Sequence, residues 1–299
     1  MALVLNYAAR SDPGLVRQNN EDSLYAGARL LAVADGMGGH AAGEVASKVV
    51  IGALASLDDH ALRGDPVERL RAAVESGNAA ITELSAANPA LGSMGTTLTA
   101  LLFGGEWVAS LNIGDSRTYL LRGGELAQVT KDDSFVQFLV DAGHITPEQA
   151  HTHPRRSIVL RVLTGESTIE PTLHVRLARP GDRFLLCSDG LSDVVDFDTI
   201  ARTMRESDVA TCAETLIRLA LDGGGPDNVT VIVADVVDDG TVVPSPASPS
   251  APTELIRPVG SETAAAPPRE KSRLPVWALV VLLLVLCAGA VLLAGVIWW

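Results

Sequence analysis

Short runs of apolar residues alternate with polar stretches from the N-terminus to about residue 237. Spacing and β-branched content predict two sets of elements. Strands are predicted at Leu30–Ala34, Thr97–Phe103, Val108–Ile113, Thr118–Leu121, Leu173–Leu177, Arg183–Cys187 and Val229–Val236, and helices at Gly43–Ala55, Pro66–Ala87, Phe135–Ala142, Asp198–Met204 and Val209–Leu221. Gly104–Gly105 and Gly123–Gly124 make short connections that suit antiparallel pairing. The pattern therefore predicts an α+β domain over residues 1–237, with antiparallel sheets flanked by helices.

The composition changes abruptly after this domain. Residues 238–273 are rich in Pro, Ser, Ala and Thr and show no apolar periodicity. Such a segment does not bury enough apolar surface to offset the entropy lost on ordering. We therefore interpret residues 238–273 as a flexible linker.

Residues 274–299 form an apolar run without a single charged residue. About 20 apolar residues in a helix cross the ~30 Å hydrocarbon core of a bilayer. Trp277 and the Trp298–Trp299 pair are placed as interfacial anchors, and basic residues occur only before the run, at Arg269, Lys271 and Arg273. We expect a single-pass protein of the cell membrane, with the preceding domain on the cytoplasmic side.

Charge and cysteine content narrow the function classes. Asp and Glu outnumber Lys and Arg by 36 to 23, which gives a formal net charge of −13 and argues against nucleic acid as a partner. The three cysteines, Cys187, Cys212 and Cys287, form no C-x-x-C pair. A disulfide framework and a structural zinc site are both disfavoured.

Four aspartates lie where predicted strands begin or end. Asp35, Asp115 and Asp189 follow apolar strands, whereas Asp227 precedes one. Each alone also fits a turn or a helix start. Carboxylates that converge at the rim of a core repel one another, and a hard divalent cation relieves that repulsion. An all-oxygen ligand set favours Mg²⁺ or Mn²⁺ over zinc.

A phosphoryl-transfer site would also need a cation that binds the phosphate, and Arg17, near the N-terminus, is a candidate for it. Arg17 lies in the stretch SDPGLVRQNNEDS, shortly before Glu21 and Asp22. A guanidinium binds two phosphate oxygens at once and keeps its proton. Taken alone, Arg17 also fits an ordinary surface residue, and Glu21 and Asp22 fit a solvated turn.

Six motifs in order carry a family resemblance. They are R-x-x-N-E-D, A-D-G-M-G-G-H-x-x-G-E-x-A-S, G-T-T, G-D-S-R, S-D-G-L and G-x-D-N-x-T, at residues 17–22, 34–47, 95–97, 114–117, 188–191 and 225–230. Together they resemble the metal-dependent protein phosphatases (PPM, type 2C), and most closely the actinobacterial membrane-anchored serine/threonine phosphatases. The resemblance spans about residues 4–237. It implies an α-β-β-α sandwich of two antiparallel sheets and hydrolysis of phosphoserine and phosphothreonine in proteins.

The resemblance also implies a role for each motif residue. Metal ligands would be Asp35, which bridges two Mn²⁺ or Mg²⁺ ions, the Gly36 carbonyl, Asp189 and Asp227, with Asp115 and Asp189 as the pair for a weaker third ion. Ser157 would touch that third site. Arg17 would hold the substrate phosphate, and Glu21 and Asp22 would orient water at the metals. The phosphorylated partners implied are membrane serine/threonine kinases and their substrates.

Three points stay open at the level of sequence. Met37 occupies the position directly after Asp-Gly where eukaryotic members have a histidine, so His40 is a candidate acid for the leaving group or a residue of the helix entry. A non-catalytic phosphatase-like scaffold that binds metal or phosphopeptide is the alternative function. A small-molecule phosphohydrolase is a third, which the order of the motifs disfavours.

Overall fold

The computed structural model describes residues 2–38, 42–58, 64–166 and 169–241. Two antiparallel sheets form its centre. The first has the strand order β1-β11-β10-β7-β8, with β1 at Leu3–Asp12, β7 at Arg117–Arg122, β8 at Glu125–Gln128, β10 at Arg183–Cys187 and β11 at Val229–Asp238. The second has the order β2-β3-β5-β6-β9, with β2 at Asp22–Ala26, β3 at Leu30–Met37, β5 at Leu98–Phe103, β6 at Trp107–Ile113 and β9 at Thr172–Leu177; the short β4, Gly95–Thr96, pairs with β3.

Helices cover the outer faces of both sheets. The helices of the described residues are α1 (Ala42–Ala55), α2 (Pro66–Ala87), α3 (Phe135–Asp141), α4 (Pro147–His151), α5 (Asp189–Ser192), α6 (Phe197–Glu206) and α7 (Val209–Asp222). Aspartates fix several of the starts: the side chain of Asp65 accepts from the Val67 amide at α2, and that of Asp208 accepts from Ala210 and Thr211 at α7.

The period-two alternation of the strands produces separate apolar layers. In β3, Leu31 and Val33 pack between the two sheets, whereas Leu30, Ala32 and Ala34 pack toward α1 and α2. A third apolar layer lies between the first sheet and helices α6 and α7. The order of layers is helix, sheet, sheet, helix, so the predicted α-β-β-α sandwich is confirmed.

The structure adds elements that the apolar pattern does not predict. Strands β1, β2, β4 and β8 and the short helices α4 and α5 are absent from the sequence-based assignment. Strand β11 also runs through Asp238, one residue past the predicted domain boundary, and a single 3-10 turn follows at Asp239–Thr241. The Asp239 amide donates to the Ala2 carbonyl at 2.8 Å, so these residues belong to the folded domain.

The predicted linker beyond Thr241 and the predicted membrane span at 274–299 lie outside the described residues. Within the described ranges, the structure contains no helix whose length and apolar content would allow it to cross a bilayer. Cys187 and Cys212 are both buried and free of disulfide bonds.

Candidate functional site

Five aspartates are gathered at one edge of the two sheets. Asp22 begins β2, Asp35 lies near the end of β3, Asp115 follows β6, Asp189 follows β10 and Asp227 precedes β11. Three of these strand ends come from the second sheet and two from the first. Both sheets therefore contribute to this edge. The sequence predicted the strand-end position of four of the five aspartates, all except Asp22.

Hydrogen bonds join the two sheets at this edge. Asp22 pairs with Asp35 in the register of β2 and β3, and its Oδ2 accepts from the hydroxyl of Ser188, which directly follows β10 of the first sheet, at 2.7 Å. The Asp35 amide donates to Thr97 Oγ1 at 3.0 Å, and that oxygen lies 2.8 Å from Ser116 Oγ in the loop after β6. These contacts fix the backbone around the carboxylates.

The carboxylates of Asp35 and Asp189 share a strongly negative, poorly solvated environment. Burial, followed by the charge of Asp189, raises the pKa of Asp35 well above its usual range. Burial, followed by Asp115, does the same to the pKa of Asp189. Asp227 contributes to both shifts. The carboxylates therefore destabilise one another when all are ionised.

Two further members of the group have raised pKa values. Burial and the neighbouring Asp132 raise the pKa of Asp115 to about 7, against the opposing charge of Arg117. Burial raises the pKa of Asp22 to about 6, although the hydroxyl of Ser188 stabilises its ionised form. Near neutral pH the metal-free protein therefore keeps part of these carboxyl groups protonated.

We expect the free energy of unfolding of the metal-free chain to fall as the pH rises from about 4 to about 7. The pKa of Asp22 and that of Asp115 lie above the usual value of 3.8, so the native state binds more protons than the unfolded chain in this interval. The stabilisation is complete below the unfolded pKa and is lost as the pH rises through about 6 and about 7. Urea denaturation in excess chelator at several pH values measures it. Asp115→Asn should flatten the profile, and a profile that rises with pH would contradict the assignment.

Gly36 allows Glu21 to approach Asp35. The Gly36 amide donates to the Glu21 carbonyl at 3.2 Å. A Cβ at position 36 would lie 2.1 Å from the Gly43 carbonyl oxygen and 2.6 Å from that of Glu21. The Ser47 hydroxyl also donates to the Glu21 carbonyl, at 2.6 Å. Only glycine fits here without displacing the start of α1.

Arg17 lies beside the cluster of five aspartates. Its Nη2 donates to Asp227 Oδ2 at 2.7 Å, while its side chain stays 57% exposed to solvent. The hydrogen bond that Arg17 donates to Asp227, with the charges of Asp227, Asp35 and Glu21, raises the pKa of Arg17 further. A cation that is both fixed at one end and open to solvent is suited to binding an anion next to the carboxylates.

The loop that carries Arg17 is tied to the segment that carries Asp227. Gly14 has a φ of +76°, and a Cβ there would lie 2.2 Å from the Asp227 carbonyl oxygen. Asn228 Nδ2 donates to the carbonyls of Pro13 and Asn19 at 2.9 and 2.8 Å, and its Oδ1 accepts from the Glu21 amide at 2.8 Å. The amide of Asn228 thus holds both ends of the Arg17 loop.

Sequence reasoning missed two residues of this site. Asn228 belongs to the motif G-x-D-N-x-T, which gives it no role of its own, and it is buried in the structure. An asparagine directly before an apolar strand was the available signal. Asp193, the second aspartate of SDGLSD, adds its charge to the raised pKa of Asp189 and lies 3.6 Å from the Arg156 guanidinium. Its place in the same short run as Asp189 was the available signal.

The remaining candidates are not joined to the group by described contacts. Ser157 lies in an exposed segment, and its side chain makes no hydrogen bond to a described residue. Its assignment to a third metal site stays a prediction. His40 lies outside the described residues, so its role as an acid stays a prediction as well.

The donor set fits a hard divalent cation. Asp22 and Asp189 each have a buried Oδ1 atom that lacks a hydrogen-bond partner within the described part of the chain. All donors are oxygens, and their mutual repulsion is what a cation would remove. In this structure Asp227 instead points to Arg17, and the described residues contain no ready-made group of three or more His, Cys, Asp or Glu ligands. The individual ligand assignments of Asp35, Gly36, Asp115, Asp189 and Asp227 therefore stay predictions.

Comparison with known proteins gives consistent matches. Residues 14–219 match the family described as Protein phosphatase 2C. A curated relative, the serine/threonine protein phosphatase PstP of Mycobacterium tuberculosis, is 64% identical over 238 residues, which are 80% of this chain and 46% of that protein. The chain therefore spans about half the length of the curated relatives at this level of identity.

Two solved structures share the fold over the same region. A crystal structure of the M. tuberculosis phosphatase PstP/Ppp has a TM-score of 0.77 at 63% identity and covers 79% of this chain and 100% of that one. A structure of the PstP catalytic domain in complex with two manganese ions has a TM-score of 0.75 at 63% identity, with the same coverage. The fold of the described domain therefore agrees with that of these proteins.

Proposed function

The chain belongs to the protein phosphatase 2C family, and from that premise we propose that it is a metal-dependent phosphatase that hydrolyses phosphoserine and phosphothreonine in proteins. One observation carries this proposal. Aspartates from strand ends of both sheets raise one another's pKa at a single edge, and a solvent-exposed arginine lies among them. Hydrolysis of a phosphate ester needs carboxylates that hold metal ions and, beside them, a cation that binds the phosphate. The aspartates and Arg17 provide this arrangement.

The residues divide between the metal ions and the phosphate. Asp35, Gly36, Asp189 and Asp227 would hold two Mn²⁺ or Mg²⁺ ions, as the two manganese ions in the PstP catalytic domain suggest. Asp115 would pair with Asp189 at a weaker third site. When bound, the ions supply Lewis acidity that makes water a competent nucleophile near neutral pH.

The other side chains bind and orient. Arg17 holds the phosphate by its guanidinium, which is exposed and anchored through Asp227. Glu21 and Asp22 lie directly beside the Gly36 and Asp35 backbone and orient water for attack on phosphorus. His40 is the candidate acid for the departing alkoxide. No covalent phosphoenzyme is required.

Phosphate release from a phosphothreonine peptide by the purified full chain tests the proposal. We expect release that requires Mn²⁺ or Mg²⁺ and that stops in excess chelator. A phosphatase-like scaffold would bind the peptide without releasing phosphate. Release from p-nitrophenyl phosphate alone, with no release from phosphopeptides, would instead identify a small-molecule phosphohydrolase.

Manganese is expected to raise the melting temperature of the chain by roughly 5–10 °C relative to chelator. A ligand at 100 times its Kd stabilises the native state by about 2.7 kcal/mol, and here it also removes the repulsion among Asp35, Asp115 and Asp189. Differential scanning fluorimetry in Mn²⁺ and in EDTA measures the shift. Asp35→Asn should lose most of the shift, and identical melting curves for the wild type would count against a metal site.

We further propose that residues 274–299 anchor the domain to the cytoplasmic face of the membrane. The support is the uncharged apolar run and the basic residues that precede it. As a flexible coil, residues 242–273 have an r.m.s. reach of roughly 30 Å. A domain held this close to the bilayer meets membrane serine/threonine kinases at a raised effective concentration.

Removal of residues 242–299 tests the anchor. We expect the shortened chain to hydrolyse a soluble phosphopeptide at nearly the full rate and to dephosphorylate a membrane-embedded kinase much more slowly, with both rates measured in the same proteoliposomes. Equal losses on the two substrates, or no loss on either, would reject tethering as a determinant of substrate choice.

A further inference from the structure

Two of the most exposed large apolar side chains in the described residues are consecutive and directly precede Arg17. Leu15 and Val16 are each 68% exposed, and only Leu177, at 69%, exceeds them. A single exposed apolar residue needs no explanation, whereas two adjoining ones beside a candidate binding site offer apolar surface that a ligand could cover. We call Leu15 and Val16 the apolar ledge.

The apolar ledge is held in place by the segment that carries Asp227. The Leu15 amide donates to the Gly225 carbonyl at 2.8 Å, and the Gly14 amide donates to Asp12 Oδ1 at 2.9 Å. A Cβ at Gly225 would lie 3.0 Å from Leu15 Cγ and 3.2 Å from Leu221 Cδ2, so the Leu15 side chain rests on the Gly225 backbone beside Leu221. Leu15 is therefore held in place before a substrate arrives.

The ledge adjoins the residue that we assign to the substrate phosphate. Arg17 follows Val16 directly, and its guanidinium lies on Asp227 at 2.7 Å. Leu15 contacts Gly225 and Arg17 contacts Asp227, so the ledge and the guanidinium lie along the same two adjoining segments. Consecutive Cα atoms of a substrate are about 3.8 Å apart, so residues one or two positions from a phosphorylated residue held by Arg17 would be within reach of the ledge. An apolar substrate side chain there would cover surface that is now exposed to water.

We propose that the apolar ledge selects substrates with an apolar residue within two positions of the phosphorylated serine or threonine. This inference rests on the proposed phosphatase function and specifies its substrate class. Arg17 and the metal ligands would read the phosphate, which every substrate shares. Leu15 and Val16 would read the flanking sequence, which differs between substrates.

A pair of matched phosphothreonine peptides tests the ledge. One peptide carries leucine at the two positions on each side of the phosphothreonine, and the other carries asparagine, which has nearly the same shape. We expect the wild-type full chain in Mn²⁺ to show a kcat/KM about fivefold higher for the leucine peptide, since one apolar contact is worth at least this much in a binding site. In the double variant Leu15→Asn, Val16→Thr the ratio should fall to about one, through loss on the leucine peptide.

Two further variants separate specificity from structure. Leu15→Met, Val16→Ile keeps the apolar surface and should keep the ratio. Leu177→Asn removes an equally exposed apolar side chain from β9 and should leave the ratio at the wild-type value. Equal losses on both peptides in the polar double variant would assign the ledge a purely structural role and overturn the inference.

The wild-type result distinguishes failure of the ledge from failure of the proposed phosphatase function. Equal hydrolysis of both peptides would overturn the inference while the phosphatase function stands. No phosphate release from either peptide in Mn²⁺ would refute the proposed function, and the inference would fall with it.

Discussion

Asp35→Asn is expected to lower kcat for phosphopeptide hydrolysis at least about a thousandfold, equivalent to ~4 kcal/mol of barrier, in a protein that still folds. Burial and the charges of Asp189, Asp22, Asp115 and Asp227 all raise the pKa of Asp35, so its ionised carboxylate is disfavoured by the four others. Its backbone is held by Thr97, and asparagine preserves these backbone hydrogen bonds. The amide removes the charge that Asp35 would need for its proposed role as a metal ligand.

The melting temperature of Asp35→Asn distinguishes a loss of catalysis from misfolding. In chelator, Asp35→Asn should melt at a higher temperature than the wild type, because one of the mutually repelling carboxylates is gone. Asp198→Asn is the matched control, since it removes an exposed carboxylate at the start of α6. Retention of more than about a tenth of the wild-type kcat, a loss under ~1.4 kcal/mol, would show that Asp35 is not a metal ligand.

Arg17→Ala is expected to lower kcat/KM for phosphopeptides about a hundredfold, or ~2.7 kcal/mol. The guanidinium is the group that we assign to the phosphate, and charge-assisted bidentate contacts are the strongest hydrogen bonds available to it. Arg17→Lys should recover only part of the loss, because an ammonium group lacks the planar fork of donors.

Arg10→Ala provides the control for this variant. Arg10 also pairs with a carboxylate at 2.7 Å, that of Glu214, but we assign it no part in phosphate binding. Its removal should leave kcat/KM near the wild-type value. Full activity of Arg17→Ala, or an equal loss in Arg10→Ala, would contradict the assignment of Arg17 to the phosphate.

The sequence predicted the buried part of the fold well. Inner strands of the two sheets, such as β3 and β10, are mostly apolar runs, and such runs predict buried strands. Strand β1 was missed because it lies at a sheet edge, where most of its residues are partly exposed and the period-two alternation is broken. Strand β4 has only two residues and forms through its pairing with β3.

The candidate site was predicted in its residues but not in its contacts. Asp35, Asp115, Asp189 and Asp227 follow or precede apolar strands, which is visible in the chain itself. The pairing of Arg17 with Asp227 and the clamp by Asn228 join segments about 210 residues apart in sequence. Such contacts depend on how β1 and β11 align, and local patterns do not encode that register.

A titration of metal-free full chain with Mn²⁺ tests the central claim most directly, with bound manganese and phosphate release from a phosphothreonine peptide measured on the same samples. We expect that release rises as two ions bind per chain, falls again in excess chelator, and stays near background in Asp35→Asn at every manganese concentration. Release that is independent of bound manganese, or full manganese binding with no release, would contradict it.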